Sequence, residues 1–381
     1  MRLFNENHKK FRQRVREFVE TEINPYAEEM EKNRQIPRTL WKKMGEAGFL
    51  GLCYGKEYGG QELNIVYSVI LTEELIKSRC SRGIGQAVVT HNDMATTYLH
   101  QFGTHEQKIK YLKPCTTGDA ICAIAVTEPD AGSDVASMNT TAIKDGNHYI
   151  INGQKIYITN GYYADIIITA AKTDTKIQPA YKGISIFIIE KGIKGLSTSK
   201  LDKMGLPASD TAEISYTDCR VPAENMIGVE GSGFRYIMEC FQKERLMLTL
   251  FSLASCEKII QETIDFCRNH SLYSAPIISS QANKHKFVEM ISELEVIKTL
   301  TYDCVQEYLA GNDIIKGITI AKFRAGELVN KAARICMGLQ GEHGYLRDNV
   351  AARACLDARA NTIAGGSTEI MKEILGKLLG F

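Results

Sequence analysis

The chain carries almost no excess charge of either sign. It has 46 Lys and Arg against 45 Asp and Glu, a formal net charge of +1. No basic stripe or charge block occurs, which argues against nucleic acid or an anionic membrane surface as partner. No apolar run approaches the roughly 20 residues that a membrane span needs. The eleven cysteines include no CxxC pair and no even clustering. That pattern excludes a zinc ribbon or a disulfide framework and reads as reduced, mostly buried thiols, with no metal site expected. The first ten residues are polar and include Glu6, so they read as neither a secretory nor a transit signal. Repeats and low-complexity linkers are also missing. What remains is the expectation of a soluble, cytoplasmic globular protein. Its 381 residues exceed what one core usually holds, so two or three domains are expected.

The texture of the chain changes twice. Residues 1–118 read as helices: Phe11, Val15, Phe18, Val19 and Ile23 recur at spacings of three and four, the stripe of an amphipathic helix. Further helices are expected around Leu40, Trp41 and Met44, over Tyr67–Arg79, over Gln86–Gln101 and over His105–Leu112, with a loop at Gly51–Gly60. Across 119–228, β-branched runs alternate with turn signals, at Ile121–Val126, Tyr149–Ile158, Asp165–Ala170, Ile184–Ile189 and Glu213–Tyr216. Such spacing predicts a small antiparallel sandwich or barrel. From 229 to 381 the helical pattern returns, interrupted by the polar loop Ser271–Ser280.

Two segments point to chemistry. The loop Thr127–Asp134 (TEPDAGSD) precedes a predicted hairpin in which His148–Ile151 and Gln154–Ile158 flank Asn152-Gly153, a favoured two-residue turn. A small-residue loop beside such strands can offer backbone N–H groups and an aromatic to a flat polar ligand. The plain alternative is a surface meander with ordinary turns. In the helix after Gly233, Ile237, Phe241, Leu248 and Phe251 share one face with Glu244. A carboxylate on an apolar stripe is costly to bury unless paired or protonated. A carboxyl whose pKa is raised in this way suits a general base that takes a proton from carbon. The alternative is a structural glutamate, paired with Arg245 or placed at a local opening in the bundle.

The whole chain resembles the acyl-CoA dehydrogenase family. The resemblance rests on the 127–134 loop, on Tyr157-Ile158-Thr159-Asn160-Gly161, on Glu230-Gly231-Ser232-Gly233-Phe234, on Pro276 with Gln281, and on Asp357-Ala358-Arg359 followed by Ile363 to Lys372. It implies a mainly α fold with a helical N-terminal domain, a central β-domain and a C-terminal four-helix bundle. It also implies FAD as cofactor. Ala125, Val126 and Thr127 would lie along the flavin ring, and Tyr157 would stand where a Trp is common. Thr159 would approach the ring's N5, while Gly132 and Ser133 would serve the phosphate or the substrate thioester. Gln281, Gly341, Ser367 and Glu369 belong to the implied cofactor set, as do His270, Tyr273 and Gly338. In most of the family the base occupies the position of Gly365, which has no side chain. In a branch resembling isovaleryl- and long-chain acyl-CoA dehydrogenases it lies on the helix that here holds Phe241-Gln242-Lys243-Glu244-Arg245. The implied reaction turns an acyl-CoA into its trans-2-enoyl thioester. Glu244 would take the α-proton, a β-hydride would pass to the flavin, and the Gly365 N–H would serve the thioester carbonyl.

Three positions depart from the family pattern. His270 stands where an arginine usually meets the FAD of a neighbouring subunit. Gly338 replaces a flavin-contacting glutamine, with Gln340 two places on. Gln242 replaces an aspartate that meets the pantetheine arm; with Ser133 and Arg245 it forms the implied substrate set. The departures keep three alternatives open: a carrier-protein-bound acyl thioester as substrate, an oxygen-using flavin enzyme, or a flavin-free paralogue. The resemblance further implies a homodimer or homotetramer and an electron-transferring flavoprotein as acceptor. His91, Met94 and Tyr98 read as packing residues, with no role assigned to His91.

Overall fold

The computed structural model describes residues 3–78 and 82–381. The N-terminal part is helical: α1 (Glu6–Phe18), α2 (Ala27–Asn33), α3 (Arg38–Glu46), α4 (Ile65–Lys77), α5 (Arg82–Val89), α6 (Thr96–Phe102) and two single turns, α7 (His105–Gln107) and α8 (Lys113–Thr116). Arg79, at the end of the expected 67–79 helix, lies outside the described residues. α1 begins where the Asn5 side chain accepts from the His8 amide and the His8 ring accepts from the Asn5 amide. These reciprocal bonds satisfy two otherwise orphaned donors. α4 is the central helix, buried at every position from Ser68 to Ile76. Its Glu73 and Glu74 are tolerable there because Arg12 (2.7 Å to Glu73) and Arg16 (2.6 Å to Glu74) reach in from α1, since buried charges must be paired.

The expected hairpin turn at Asn152-Gly153 is not formed. His148–Thr159 is one continuous 12-residue strand, β3, and the hairpin closes earlier, between β2 (Thr141–Asp145) and β3, through Gly146 at φ 57°. Gly153 is needed for another reason. A Cβ there would meet Thr140 Oγ1 at 2.4 Å, and the register against the next strand slips between Ile151 and Gly153. The Asn-Gly pair therefore marks a bulge where another backbone approaches closely.

The remaining strands are β1 (Cys122–Ala125), β4 (Ile166–Lys172), β5 (Ile184–Glu190), β6 (Leu196–Lys200), β7 (Thr211–Pro222) and β8 (Met226–Ile227). They form one sheet in the order β6-β7-β3-β2-β4-β5-β8, with β1 added on β4. The sheet is mixed: β1 and β2 both run parallel to β4, where a purely antiparallel arrangement was expected.

After the sheet come α9 (Gly233–Asn269), a two-stranded hairpin of β9 (Ser271–Leu272) and β10 (Ala275–Pro276), α10 (Gln281–Leu309), α11 (Ile315–Leu339), α12 (Val350–Asp357) and α13 (Thr368–Leu379). One hydrophobic cluster joins α1, α3 and α4 to α9, α10 and α11. A second joins α6 and the start of α9 to the sheet. The first half of α9 therefore touches all three parts of the molecule. Among the described residues every cysteine is a free thiol, and no helix is long and apolar enough to cross a membrane.

Candidate active site

Glu244 sits in that first half of α9, two turns after buried Ile237 and one turn before buried Leu248. It is partly open to the surface, yet among the described residues it accepts no hydrogen bond and forms no ion pair. Of the two structural alternatives, pairing with Arg245 is not made, while the partly open position matches a local opening in the bundle. Burial raises its carboxyl to about 7, against the opposing pull of Arg245 and Lys322. Arg245 itself is buried, its Nε lacks a partner, and its guanidinium stands 5.8 Å from the Phe241 ring. Gln242 is similarly incomplete: its amide N donates to the Met238 carbonyl at 3.4 Å and its Oε1 is buried without a partner.

Neighbouring Lys243 points the other way. It forms a buried ion pair with Asp93 (3.0 Å), which lies in the π-helical segment Thr90–Ala95 between α5 and α6. That pair fixes the rotation of α9 and leaves Glu244 on the open side. His91, in the same segment, accepts from the Cys122 amide (3.0 Å) and contacts the Cys115 carbonyl (3.1 Å). It is a buried packing residue.

The glycine pair Gly365-Gly366 reaches Glu244 from the C-terminal segment. Both residues have left-handed backbone, at φ 65° and 100°. A Cβ on Gly365 would lie 3.8 Å from Glu244 Oε1 and 2.3 Å from Leu248 Cδ1. The Gly365 amide donates no hydrogen bond among the described residues, which leaves a free donor beside an unpaired carboxyl.

The expected flavin wall forms a second group. Ala125 ends β1 and Val126 follows it, and both are buried. The Thr127 carbonyl accepts from the Ile156 amide at 3.0 Å, which draws Thr127 against β3. Tyr157 is 68% exposed and holds φ 62°, an uncommon backbone for a bulky residue and one that gathers at functional sites. It follows from the register slip between Lys155 and Ile158. Thr159 closes β3 opposite Thr211. Gly132 and Ser133 are exposed in the loop that follows, and a Cβ at Gly132 would meet nothing within 4 Å. An exposed aromatic face beside a backbone edge and an open glycine loop fits a flat ring with an attached phosphate, so these residues suit FAD. Beneath them Lys155, fully buried, donates to the Val126 carbonyl (2.9 Å) and pairs with Glu128 (2.8 Å).

His270, Tyr273, Gly338 and Gly341 do not join this group. At 1.5 Å per residue His270 lies about 39 Å along α9 from Glu244. Tyr273 tips the β9–β10 hairpin at 95% exposure, and Gln281 opens α10, also exposed. His270 stacks on Phe266 (3.8 Å between ring centres) and stands 5.4 Å from His343. Gln340 cannot stand in for the glutamine missing at Gly338. It is buried, donates to Thr263 (2.8 Å) and accepts from Asn349 (2.6 Å). Ser367 caps α13 by accepting from the Ile370 amide, and Glu369 is exposed in its first turn. Lys322 was not anticipated. It is a lone lysine amid Ile318, Ala321 and Ala325 on α11, 2% exposed, and its ammonium donates to the Gly366 carbonyl. A charge on an apolar stripe, the signal that singled out Glu244, was present there too.

Family models of the acyl-CoA dehydrogenase N-terminal, middle and C-terminal domains match residues 5–119, 123–219 and 231–380. The sequence is 35% identical over 377 residues to the mitochondrial long-chain specific acyl-CoA dehydrogenase of Rattus norvegicus, covering 99% of this chain and 87% of that one. An acyl-CoA dehydrogenase from Geobacillus kaustophilus superimposes with a TM-score of 0.97 at 38% identity, over 100% of both chains. The prolyl acyl carrier protein oxidase AnaB superimposes with a TM-score of 0.92 at 31% identity, over 99% of this chain and 100% of that one.

Proposed function

We infer the reaction from one premise: the chain belongs to the acyl-CoA dehydrogenase family. It is an oxidoreductase acting on a CH–CH group. Within that chemistry, we assign the α-proton of an acyl-CoA to Glu244. The observation that carries the assignment is an unpaired carboxyl, raised to about 7 by burial, beside the free amide of Gly365. A base poised near neutral pH takes a weakly acidic proton best. As the α-proton leaves, negative charge grows on the thioester oxygen, and the Gly365 N–H is the donor offered to it.

FAD, when bound, supplies the two-electron oxidation at the β-carbon. Ala125, Val126, Thr127, Tyr157 and Thr159 would hold its ring, with Gly132 and Ser133 at its phosphate or at the thioester. Ser367 and Glu369, at the start of α13, would complete the set that holds it. The group around His270, Tyr273, Gln281, Gly338 and Gly341 is too far along α9 to serve the same chain's flavin. Its exposure supports a homo-oligomer in which one copy completes the cofactor site of another. Electrons then leave to an electron-transferring flavoprotein.

A carrier-protein thioester is the second reading. It is favoured by Gln242 at the pantetheine position, with its unpaired Oε1, and by the likeness to AnaB. The test is to mix the flavin-loaded protein anaerobically with saturated acyl-CoAs of graded length. Bleaching by one length class supports the first reading. A yellow protein that ignores every acyl-CoA but bleaches with an acyl carrier protein thioester supports the second.

A further inference from the structure

The segment that brings Gly365 to Glu244 is held along one face of α11. Lys322, Gly326 and Asn330 follow one another at intervals of four, so they line a single stripe of that helix. Asn330 Nδ2 donates to the Ala358 carbonyl at 2.8 Å. Gly326 lets the backbone of Asn361 approach so closely that a Cβ would stand 2.8 Å from its carbonyl oxygen. Lys322 ends the stripe by donating to the Gly366 carbonyl. The three contacts fasten the chain from Ala358 to Gly366, and the last holds the residue that follows Gly365, two peptide units on from its free amide.

Lys322 is an unusual choice for a clamp. Among the described residues its buried ammonium has no ion-pair partner, although a neutral donor would fasten a carbonyl without the cost of burying a charge. The charges that face it explain the choice. They are Glu244 and Arg245 from α9 and Glu369 from α13. Glu244 is in turn faced by Arg245 and Lys322, and Tyr98 and Cys240 lie within reach of its field.

We propose that Lys322 is a positioning residue for the reaction: its ammonium pins the Gly366 carbonyl, which fixes the turn that presents the Gly365 amide, and its charge favours the ionised form of Glu244. The inference rests on the reading of Glu244 as the base. Burial holds Lys322 down to about 8, with Arg245 acting in the same direction, so the lysine stays charged through neutral pH, where Glu244 works.

The test measures anaerobic flavin reduction by a saturating acyl thioester between pH 6 and pH 9 in the holoenzyme and four variants. Lys322→Met removes charge and donor; Lys322→Gln removes the charge and keeps a donor. In both, the rising limb of the rate should move about one unit to higher pH, because an opposite charge nearby lowers a carboxyl by about that much or more. At pH 7 this alone slows reduction about fivefold. Lys322→Arg should keep the parental limb. Flavin content and melting temperature report packing, the parental limb of Lys322→Arg separates lost charge from repacking around Glu244, and Lys322→Gln gives the reading if Lys322→Met loses flavin. An unmoved limb in the neutral variants, with Glu244→Gln inactive, removes the role of Lys322 alone. A Glu244→Gln enzyme that reduces its flavin at the parental rate removes the base assignment and this inference with it.

Discussion

Glu244 and Gly365, far apart in sequence, converge so closely that a β-carbon on Gly365 would stand 3.8 Å from Glu244 Oε1. By the family resemblance, Gly365 occupies the position at which most members carry their base. A carboxylate projecting from either position enters the same small volume, so a base on α9 can serve a site whose usual position holds a glycine. The glycine is also demanded locally: its left-handed backbone and its contact with Leu248 leave little room for a side chain.

Replacing Glu244 by glutamine keeps the shape and removes the proton acceptor. Flavin reduction by acyl thioester should fall about 100- to 10,000-fold, the usual contribution of a positioned base, while flavin content stays at the parental level. Stopped-flow absorbance at the flavin band checks both. A loss smaller than tenfold would mean that another group takes the proton.

The same carboxyl links activity to stability. Its folded value of about 7 lies above its ordinary 4.5, so the native state holds the proton more tightly than the unfolded chain. Stability from this group is fully present below about pH 4.5 and is lost as pH rises towards 7. The full loss is at most about 3 kcal/mol, and less because solvent reaches the partly open site. Glu244→Gln should therefore melt at a higher temperature than the parent at pH 8, and the gap should close by pH 5. Flavin reduction should follow the opposite course, rising with pH through about 7. Equal melting temperatures at pH 8 would show that the carboxyl is not held in an apolar setting.

Tyr157 gives a different separation. Its φ of 62° costs energy that a glycine would not pay, and its ring is mostly exposed. Tyr157→Gly should leave the stability of the flavin-free protein unchanged or raised by up to about 1 kcal/mol. Its affinity for FAD should drop at least tenfold. Denaturant melts of the apoprotein and a fluorescence titration with FAD measure the two separately. A large loss of apoprotein stability would show that Tyr157 serves packing.

How much of this was legible in the sequence varies with the range of the contact. The helical, β, helical order follows from local periodicity, and the buried stripe with Glu244 on it was readable from one helix. The hairpin was misplaced because Asp145-Gly146 and Asn152-Gly153 are both good turn dipeptides. The long pairing of β3 with β7 and the approach of Thr140 to Gly153 decide between them, and neither is a local property. The strand order and the parallel partners of β4 are equally non-local. The position of Gly365 beside Glu244 came from family resemblance, since no periodicity connects α9 with a turn after α12.

Beneath the proposed flavin wall, Lys155 and Glu128 form an ion pair almost wholly out of water. Burial pushes the Glu128 carboxyl up, but Lys155 and the amides of Asn139 and Thr140 outweigh it and hold the group below its ordinary value. Lys155→Met strands that carboxylate and frees the Val126 carbonyl, so it should destabilise the protein by about 3–5 kcal/mol. Glu128→Gln in the same background should recover part of the loss, because no unpaired charge then remains. Urea melts of the single and double variants measure the difference. Additive losses would show that the two residues do not act as a pair.

The hairpin at Tyr273 permits a test of the shared cofactor site. If Tyr273 meets the flavin of a second copy, Tyr273→Ala should bind FAD less tightly while keeping its own Glu244 intact. Glu244→Gln has the reverse defect: a sound hairpin and no base. When the two variants are unfolded together and refolded as mixed oligomers, each hybrid contains one site with an intact base facing an intact hairpin. Activity at limiting FAD should then exceed the sum of the two parents. A mixture no more active than its components, with hybrids demonstrated by mass spectrometry, would mean that each chain completes its flavin site alone.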